Sequence, residues 1–274
     1  MSKAGKETRI GIVGVGAIGQ AILKAVADGT LPVKVAGVTS RDEAKARDIL
    51  GGLGAGGDVP WLPLDDLVAQ ADLLIEAAGG DVVADLARRC FNAGKDLLVI
   101  SIGALLDHPE LLERARETGC RLLLPSGAIA GLDGLKSASM GTLERVTITT
   151  RKPPRGLAGA PYLLENKISL EGITEEMEVY SGPVTEAVRG FPANVNVSAA
   201  VSLAGIGPER TTIRILAVPG LERNCHTVEA EGEFGSLTMS ITNIPSENPK
   251  TGRLTAMSML RSIRDALDPV RIGT

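Results

Sequence analysis

"RIGIVGVGAIGQAILKAVADG", residues 9–29, opens on a short apolar run, meets three glycines and passes into a segment with helical apolar spacing. Gly14, Gly16 and Gly19 stand in G-x-G-x-x-G register, directly after the strand pattern and at the start of the helix pattern. Each glycine has a physical task in such a loop. Gly14 allows the tight turn, Gly16 lets the backbone approach a pyrophosphate, and Gly19 permits close packing of helix on strand. The helix start at Ala17 and Ile18 then offers free N–H groups and the positive end of a dipole to phosphates. Alone the motif is weak. Here the strand before it and the helix after it are both present, so the expectation is a dinucleotide site rather than a purely structural turn.

Outward from this loop the same alternation repeats. "VKVAGVTS", "ADLLIEAA", "DLLVIS" and "CRLLLPSG" read as strands, and "RDEAKARDIL", "DVVADLARRCFNAG" and "PELLERARETG" read as the helices between them. Strands alternating with helices mean βαβ units and a parallel sheet, and nearly continuous apolar runs suit strands buried on both faces. After about Gly131 the period changes to two. "ERVTITTRKPP", "EEMEVYSGP", "TTIRILAVPG", "CHTVEAEGEFG" and "SLTMSITNIP" alternate and end in turn residues, the pattern of a mostly antiparallel sheet with one covered face. "NVNVSAAVSLAGIG" reads as an apolar helix. The tail is amphipathic, with Leu254, Met257, Leu260 and Ile263 at i, i+3 spacing. The expected architecture is α/β: a Rossmann-type doubly wound parallel sheet over residues 1–131, a smaller α+β domain over 132–245, and a C-terminal helix within 246–274 packing back on the first domain.

With 274 residues, 44% of them hydrophobic, the chain can bury one large core or two ordinary ones. A net charge of -4 argues against a general nucleic-acid or anionic-membrane binder, and 2% aromatics leave little for stacking bases or sugars. Cys90, Cys120 and Cys225 are odd in number and widely spaced, which reads as free thiols in a reducing compartment rather than a disulfide framework or a metal site. No apolar run approaches 18 residues, and "MSKAGKETR" lacks the apolar core of a signal peptide, so a cytoplasmic protein is expected.

The second strand bears on which dinucleotide is bound. NAD binders often carry Asp or Glu about 20 residues past the glycines, bonding the ribose 2′-OH. Here the strand ends in Thr39, Ser40 and Arg41, and Arg41 could pair with a 2′-phosphate. NADP, or use of both NADP and NAD, is therefore expected. At two other strand ends, "SIGAL" and "PSGAIAG" supply small residues that leave room for a nicotinamide ring, although plain turns would look similar.

The chain has two histidines. His108 sits at an apparent helix start and reads as a surface or capping residue. His226 lies in "RNCHTVEAEGEFG", residues 223–235, where Asn224, His226, Val228 and Ala230 share one strand face and Cys225, Thr227, Glu229 and Glu231 the other. The acidic residues take the solvent side, so His226 and Asn224 point inward. An imidazole can exchange protons near neutral pH or, as a cation, hold a carboxylate.

Several segments, in order along the whole chain, resemble the L-aspartate dehydrogenase family: "GIVGVGAIG", "SIGAL", "PSGAIAGLDGL", "TTRKPP", "FPANVNVSAAVSLAG", "RNCHTVEAEGEFG" and "ENPKTGRLTAMSML". The last four are the more specific. The resemblance implies a dinucleotide-binding domain, a mixed domain that supports a homodimer, and interconversion of L-aspartate and iminoaspartate with NAD(P). The imine would then give oxaloacetate and ammonia or feed NAD biosynthesis. It also implies that His226 of the N-x-H segment is catalytic, and that cofactor contacts fall at Ala128 or Ala130 and at Asn196, with Asn194 the alternative. Cys225 at the centre of N-x-H is a modest departure for which no thiol role is expected. A dicarboxylate also needs anchors. Lys250 and Thr251, where a loop opens a helix, are the leading candidates beside Asn224, with Arg151 and Lys152 behind them. Two other readings stay open: a dehydrogenase or imine reductase for another small diacid, and a non-catalytic NAD(P)H sensor.

Overall fold

The apolar run after Thr8 forms β1 (Arg9–Val13), in which Ile10 and Ile12 have no exposed surface. The computed structural model describes residues 8–53, 59–192, 195–244, 253–270 and 272–273. By internal contacts the chain divides into one unit of Met1–Pro125 with Ala256–Arg271, and a second of Ser126–Thr255 with Ile272–Thr274.

In the first unit α1 (Ala17–Ala27), β2 (Lys34–Thr39), α2 (Glu43–Gly52), α3 (Leu64–Gln70), β3 (Leu73–Glu76), α4 (Val83–Asn92), β4 (Asp96–Val99), α5 (Glu110–Thr118) and β5 (Leu122–Leu123) follow β1. The five strands pair in parallel in the order β2-β1-β3-β4-β5. The order in which successive strands are added reverses between β1 and β3, the switch point at which such sheets bind ligands. All four residues of β3 are buried, as a strand covered on both faces requires. On α4 the buried residues are Val83, Leu86, Ala87, Cys90 and Phe91, a stripe at i, i+3, i+4, i+7 and i+8. Burying each large member of that stripe contributes roughly 1.5–3 kcal/mol. Cys90 belongs to this core, and burial pushes its thiol up to about 12, which leaves it inert.

In the second unit α6 (Leu132–Ala138), β6 (Leu143–Lys152), α7 (Pro161–Glu165), β7 (Met177–Pro183), α8 (Val184–Gly190), α9 (Val195–Ala204), β8 (Thr212–Ala217), β9 (Cys225–Gly232) and β10 (Gly235–Thr242) form a mixed sheet under helices. Its order is β10-β9-β6-β8-β7. Only the β6–β8 pair is parallel; the rest are antiparallel. β6 is the central strand, and Val146, Ile148, Thr150 and Lys152 along one of its faces are all buried. On β9 burial alternates, with His226, Val228 and Ala230 inside.

The tail forms α10 (Arg253–Leu267). Met259 and Ile263 join the core cluster that contains Ile10, Ile12 and Leu73 of the first unit. The i, i+3 stripe through Met257 needs correction, because Met257 is 60% exposed while Met259 and Ile263 are fully buried. Residues 257 and 259 lie about 200° apart around a helix, so only one can face inward. The inward stripe starts at Thr255, whose small polar side chain conceals it from a reading based on apolar residues alone.

Candidate active site

The glycine loop follows β1 directly, and Gly14 N–H donates to the Thr39 carbonyl at 2.8 Å, tying the loop to the end of β2. Gly14 has φ +102, and a Cβ there would lie 2.5 Å from the Ala77 carbonyl oxygen. A Cβ on Gly19 would lie 2.1 Å from the Gly14 carbonyl oxygen, so α1 packs on the loop only without a side chain at that point. Gly16 is the opposite case: no neighbouring atom lies within 4 Å of where its Cβ would be, and Gly16 and Ala17 are exposed. Gly16 caps α1 with no side-chain hydrogen bond, and the first turn carries no acidic residue. The N–H groups at this helix start, including those of Ala17 and Ile18, therefore lack a side-chain acceptor, and the space beside Gly16 is open, which fits a pyrophosphate.

Two further features surround the loop. Ser40 donates its hydroxyl to the Asp42 carbonyl at 2.8 Å, and the Asp42 carboxylate accepts from Lys45 N–H at 3.0 Å as the cap of α2. That carboxylate is committed to the helix, while Arg41 beside it is exposed and has no ion-pair partner among the described residues. At the end of β3 the fully buried Glu76 carboxyl accepts from the N–H groups of Ala78 (2.8 Å) and Gly79 (2.7 Å). It also accepts from the N–H (2.9 Å) and hydroxyl (3.1 Å) of Ser101. Glu76 thus joins the ends of β3 and β4, including the "SIGAL" turn.

In the second unit His226 pairs across the sheet with Thr150 of β6, and both are buried. Thr150 Oγ1 lies 3.0 Å from His226 Nδ1. No described residue hydrogen-bonds Nε2. Two positions along β6, on the same face, Lys152 is 8% exposed. Burial lowers the Lys152 ammonium to about 8, and burial followed by the nearby Lys152 charge lowers His226 to about 4. At neutral pH the face holds a neutral imidazole beside a largely protonated amine, an arrangement suited to an anionic substrate that must give up a proton.

A model of the C-terminal domain of aspartate dehydrogenases matches residues 133–266, and a model of the NAD-binding domain of homoserine dehydrogenases matches residues 14–125. L-aspartate dehydrogenase 3 of Bordetella bronchiseptica is 42% identical over 98% of this chain and 98% of its own length. The L-aspartate dehydrogenase of Methanocella arvoryzae is 43% identical over 97% and 99%. The chain belongs to the aspartate dehydrogenase family. It is accordingly an oxidoreductase with a nicotinamide-dinucleotide-binding unit. The aspartate dehydrogenase of Thermotoga maritima shares its fold, with a TM-score of 0.72 at 24% identity over 98% of this chain and 100% of that one. A homoserine dehydrogenase of Thiobacillus denitrificans shares it more loosely, with a TM-score of 0.61 at 13% identity over 95% and 74%.

Against this family background the structure sorts the sequence-based candidates. Asn224 lies one residue before β9, half-buried, and its carbonyl accepts from Asn243 N–H at 2.9 Å. Asn243, buried beyond β10, also donates its side-chain amide to the Ala128 carbonyl at 2.8 Å. That single residue, through its backbone N–H and its side-chain amide, links the N-x-H segment to the "SGAIAG" turn. Ala130 is exposed in the same turn, and Asn196 is exposed in the first turn of α9. Asn194, Lys250 and Thr251 lie outside the described residues. Arg151 is corrected: it turns to the opposite face of β6 and pairs with Glu176 at 3.1 Å. Cys225 also faces away from His226, with its sulfur 3.6 Å from Thr242 Oγ1.

Thr150, Glu76 and Asn243 were not singled out from sequence. Glu76 did leave a signal, as the one charged residue in an otherwise apolar strand, and Thr150 and Lys152 sit in phase with Val146 and Ile148. Among the described residues no helix is long and apolar enough to cross a membrane.

Proposed function

We propose that this protein is an NAD(P)-dependent L-aspartate dehydrogenase with His226 as its catalytic base. The observation that carries the reading is the buried, neutral imidazole, fixed through Nδ1 by Thr150 and free at Nε2. With Nδ1–H donating to Thr150 Oγ1, Nε2 accepts one proton from the substrate ammonium. Gly14, Gly16, Ala17, Ile18 and Gly19 would hold the pyrophosphate of a nicotinamide dinucleotide, which would supply the hydride acceptor. Loss of the Cα hydrogen as hydride and of one ammonium proton leaves iminoaspartate in its protonated, iminium form. Water then adds to the imine, giving oxaloacetate and ammonia, and the reverse course is reductive amination. Asn224, Lys250 and Thr251 hold the substrate, while Ala128, Ala130 and Asn196 complete the cofactor contacts. Full-length identity above 40% to proteins named L-aspartate dehydrogenase supports the choice of substrate.

The test is oxidation of NADPH or NADH, followed by absorbance, with oxaloacetate plus ammonia. Turnover supports the assignment. Turnover only with another keto diacid transfers it to that substrate, and tight cofactor binding without turnover on any keto acid would indicate a sensor. Ser40 and the unpaired Arg41 favour NADP, with NAD also accepted. Arg41→Ala should weaken NADPH binding by about tenfold and leave NADH binding unchanged, the loss of one charge-assisted contact. A homodimer and a cytoplasmic location complete the reading, the first open to light scattering.

A further inference from the structure

Lys152, only a secondary anchor candidate by sequence, has surroundings unusual for a buried amine. Its backbone carbonyl accepts from Val218 N–H at 2.8 Å, which fixes the strand position. Its stem is covered by the turn Pro154–Gly156, where a Cβ on Gly156 would lie 3.8 Å from Lys152 Cβ and Cδ. The ammonium at the end of that held stem has neither hydrogen bond nor salt bridge among the described residues.

The charges around it explain why. On its own strand Arg151 turns to the other face with Glu176, and Arg145 turns there with Glu231 of β9. Glu229 of β9 is exposed, and Arg214 of β8 pairs with Glu178 of β7 at 2.6 Å. β10 and α9 carry no ionisable residue. Glu186 and Arg189 of α8, Asp133 and Lys136 of α6, and Arg155 of the covering turn are all exposed. Tyr180 of β7, buried on the same face through its pairing with Ile215, donates to the Pro183 carbonyl and to Glu186. No described carboxylate hydrogen-bonds or ion-pairs with Lys152, and His226 shares its face on the neighbouring strand.

Burying an unpaired cation is costly, and a fold tolerates it where a ligand brings the counter-charge. We infer that Lys152 is the anchor for one carboxylate of the substrate, and that it does so on the same face of β6 from which Thr150 presents His226. The inference rests on the dicarboxylate reading above. A carboxylate seated on Lys152 also offsets the cation beside His226, so anion binding raises the imidazole's affinity for a proton at the moment the substrate ammonium has to lose one. The residue that holds the substrate thereby tunes the base.

Two measurements test this, one of them independent of turnover. Succinate, a dicarboxylate that cannot react, is titrated calorimetrically into wild type, Lys152→Met and Lys152→Arg, and oxaloacetate KM and kcat are measured in parallel. Lys152→Met should bind succinate at least about 30-fold more weakly and raise KM by a similar factor, the scale of losing a buried charged partner. NADPH affinity should match wild type, and the melting temperature should not fall, which shows that the variant is folded. Lys152→Arg, keeping the charge, should recover most of the succinate affinity. Unchanged succinate affinity and KM in Lys152→Met overturns the inference. So does a fall in kcat alone, which would make Lys152 a proton-transfer group instead of an anchor. If wild type binds succinate through Lys152 yet turns over no oxaloacetate, the anchor stands and the dehydrogenase assignment fails.

Discussion

Two buried ionisable groups stand at the ends of central strands in the two units, and they are treated in opposite ways. Glu76 closes β3 with four hydrogen bonds from Ala78, Gly79 and Ser101. Lys152 closes β6 with an ammonium that meets no acceptor among the described residues, beside an imidazole with one nitrogen engaged. The first is structural: its acceptor oxygens are satisfied, and it joins the ends of β3 and β4. The second is unfinished until an anion arrives. On the proposed reading the dinucleotide unit would bind through glycine geometry and the N–H groups of a helix start, whereas the other unit holds its charges in buried side chains. A satisfied polar cluster adds rigidity, and an unsatisfied one lowers stability in exchange for function.

The largest break in that contrast should come from His226→Ala. It should lower kcat by about 10²–10⁴, the usual contribution of a positioned acid–base group, while NADPH affinity stays at the wild-type value. A stopped-flow measurement of single turnover beside a fluorescence titration of cofactor separates the two. Retained turnover would remove His226 from the chemistry.

Stability against pH is the next test. His226 titrates near 4 in the fold against 6.5 when exposed, so between those values the unfolded chain holds the extra proton. Stability therefore falls as pH drops from 6.5 to 4, by about 3 kcal/mol. Lys152 titrates near 8 against 10.5, so stability rises with pH across that window and is lower by about 3 kcal/mol below it. Urea denaturation should find Lys152→Met more stable than wild type at pH 7, by up to about 3 kcal/mol, with the gain gone above pH 10.5. The same variant should move the His226 titration upward, read from its ring protons by NMR. A destabilised Lys152→Met would mean that the amine has a partner outside the described residues.

Smaller effects probe the backbone side. Gly19→Ala forces a Cβ onto the Gly14 carbonyl, and the displaced loop should cost roughly 1–3 kcal/mol and weaken cofactor binding. Denaturation and cofactor titration on one sample check both. The smallest change is expected for Arg151→Ala, next to Lys152 in sequence but on the other face. It removes a half-exposed ion pair with Glu176, so it should alter stability by no more than about 1 kcal/mol and leave oxaloacetate KM unchanged. A raised KM there would return Arg151 to the substrate.

Much of this was legible before any coordinates. The glycine register and its flanking strand and helix are local facts, because a tight turn and a helix start are written within about ten residues. The switch from continuous apolar strands to period two separated a parallel sheet from a mostly antiparallel one, since covering both faces of a strand or only one leaves different patterns. His226 was found inward because Glu229 and Glu231 marked the outer side of its strand. Met259, Lys152 and Glu76 were not resolved in this way. Thr255 obscured the phase of α10, and "TTRK" puts two cations side by side with nothing in the sequence to say which faces inward. Only the pairing of β6 with β9, Thr150 opposite His226, set that phase. Pairing between strands 76 residues apart is a tertiary event, and so is the gathering of donors from two strand ends around Glu76. Local sequence determined which elements form and where a dinucleotide would lie against them. The tertiary structure decided which charges are buried and which of those are left without a partner, because burial and counter-charge come from segments that meet only when the sheet closes.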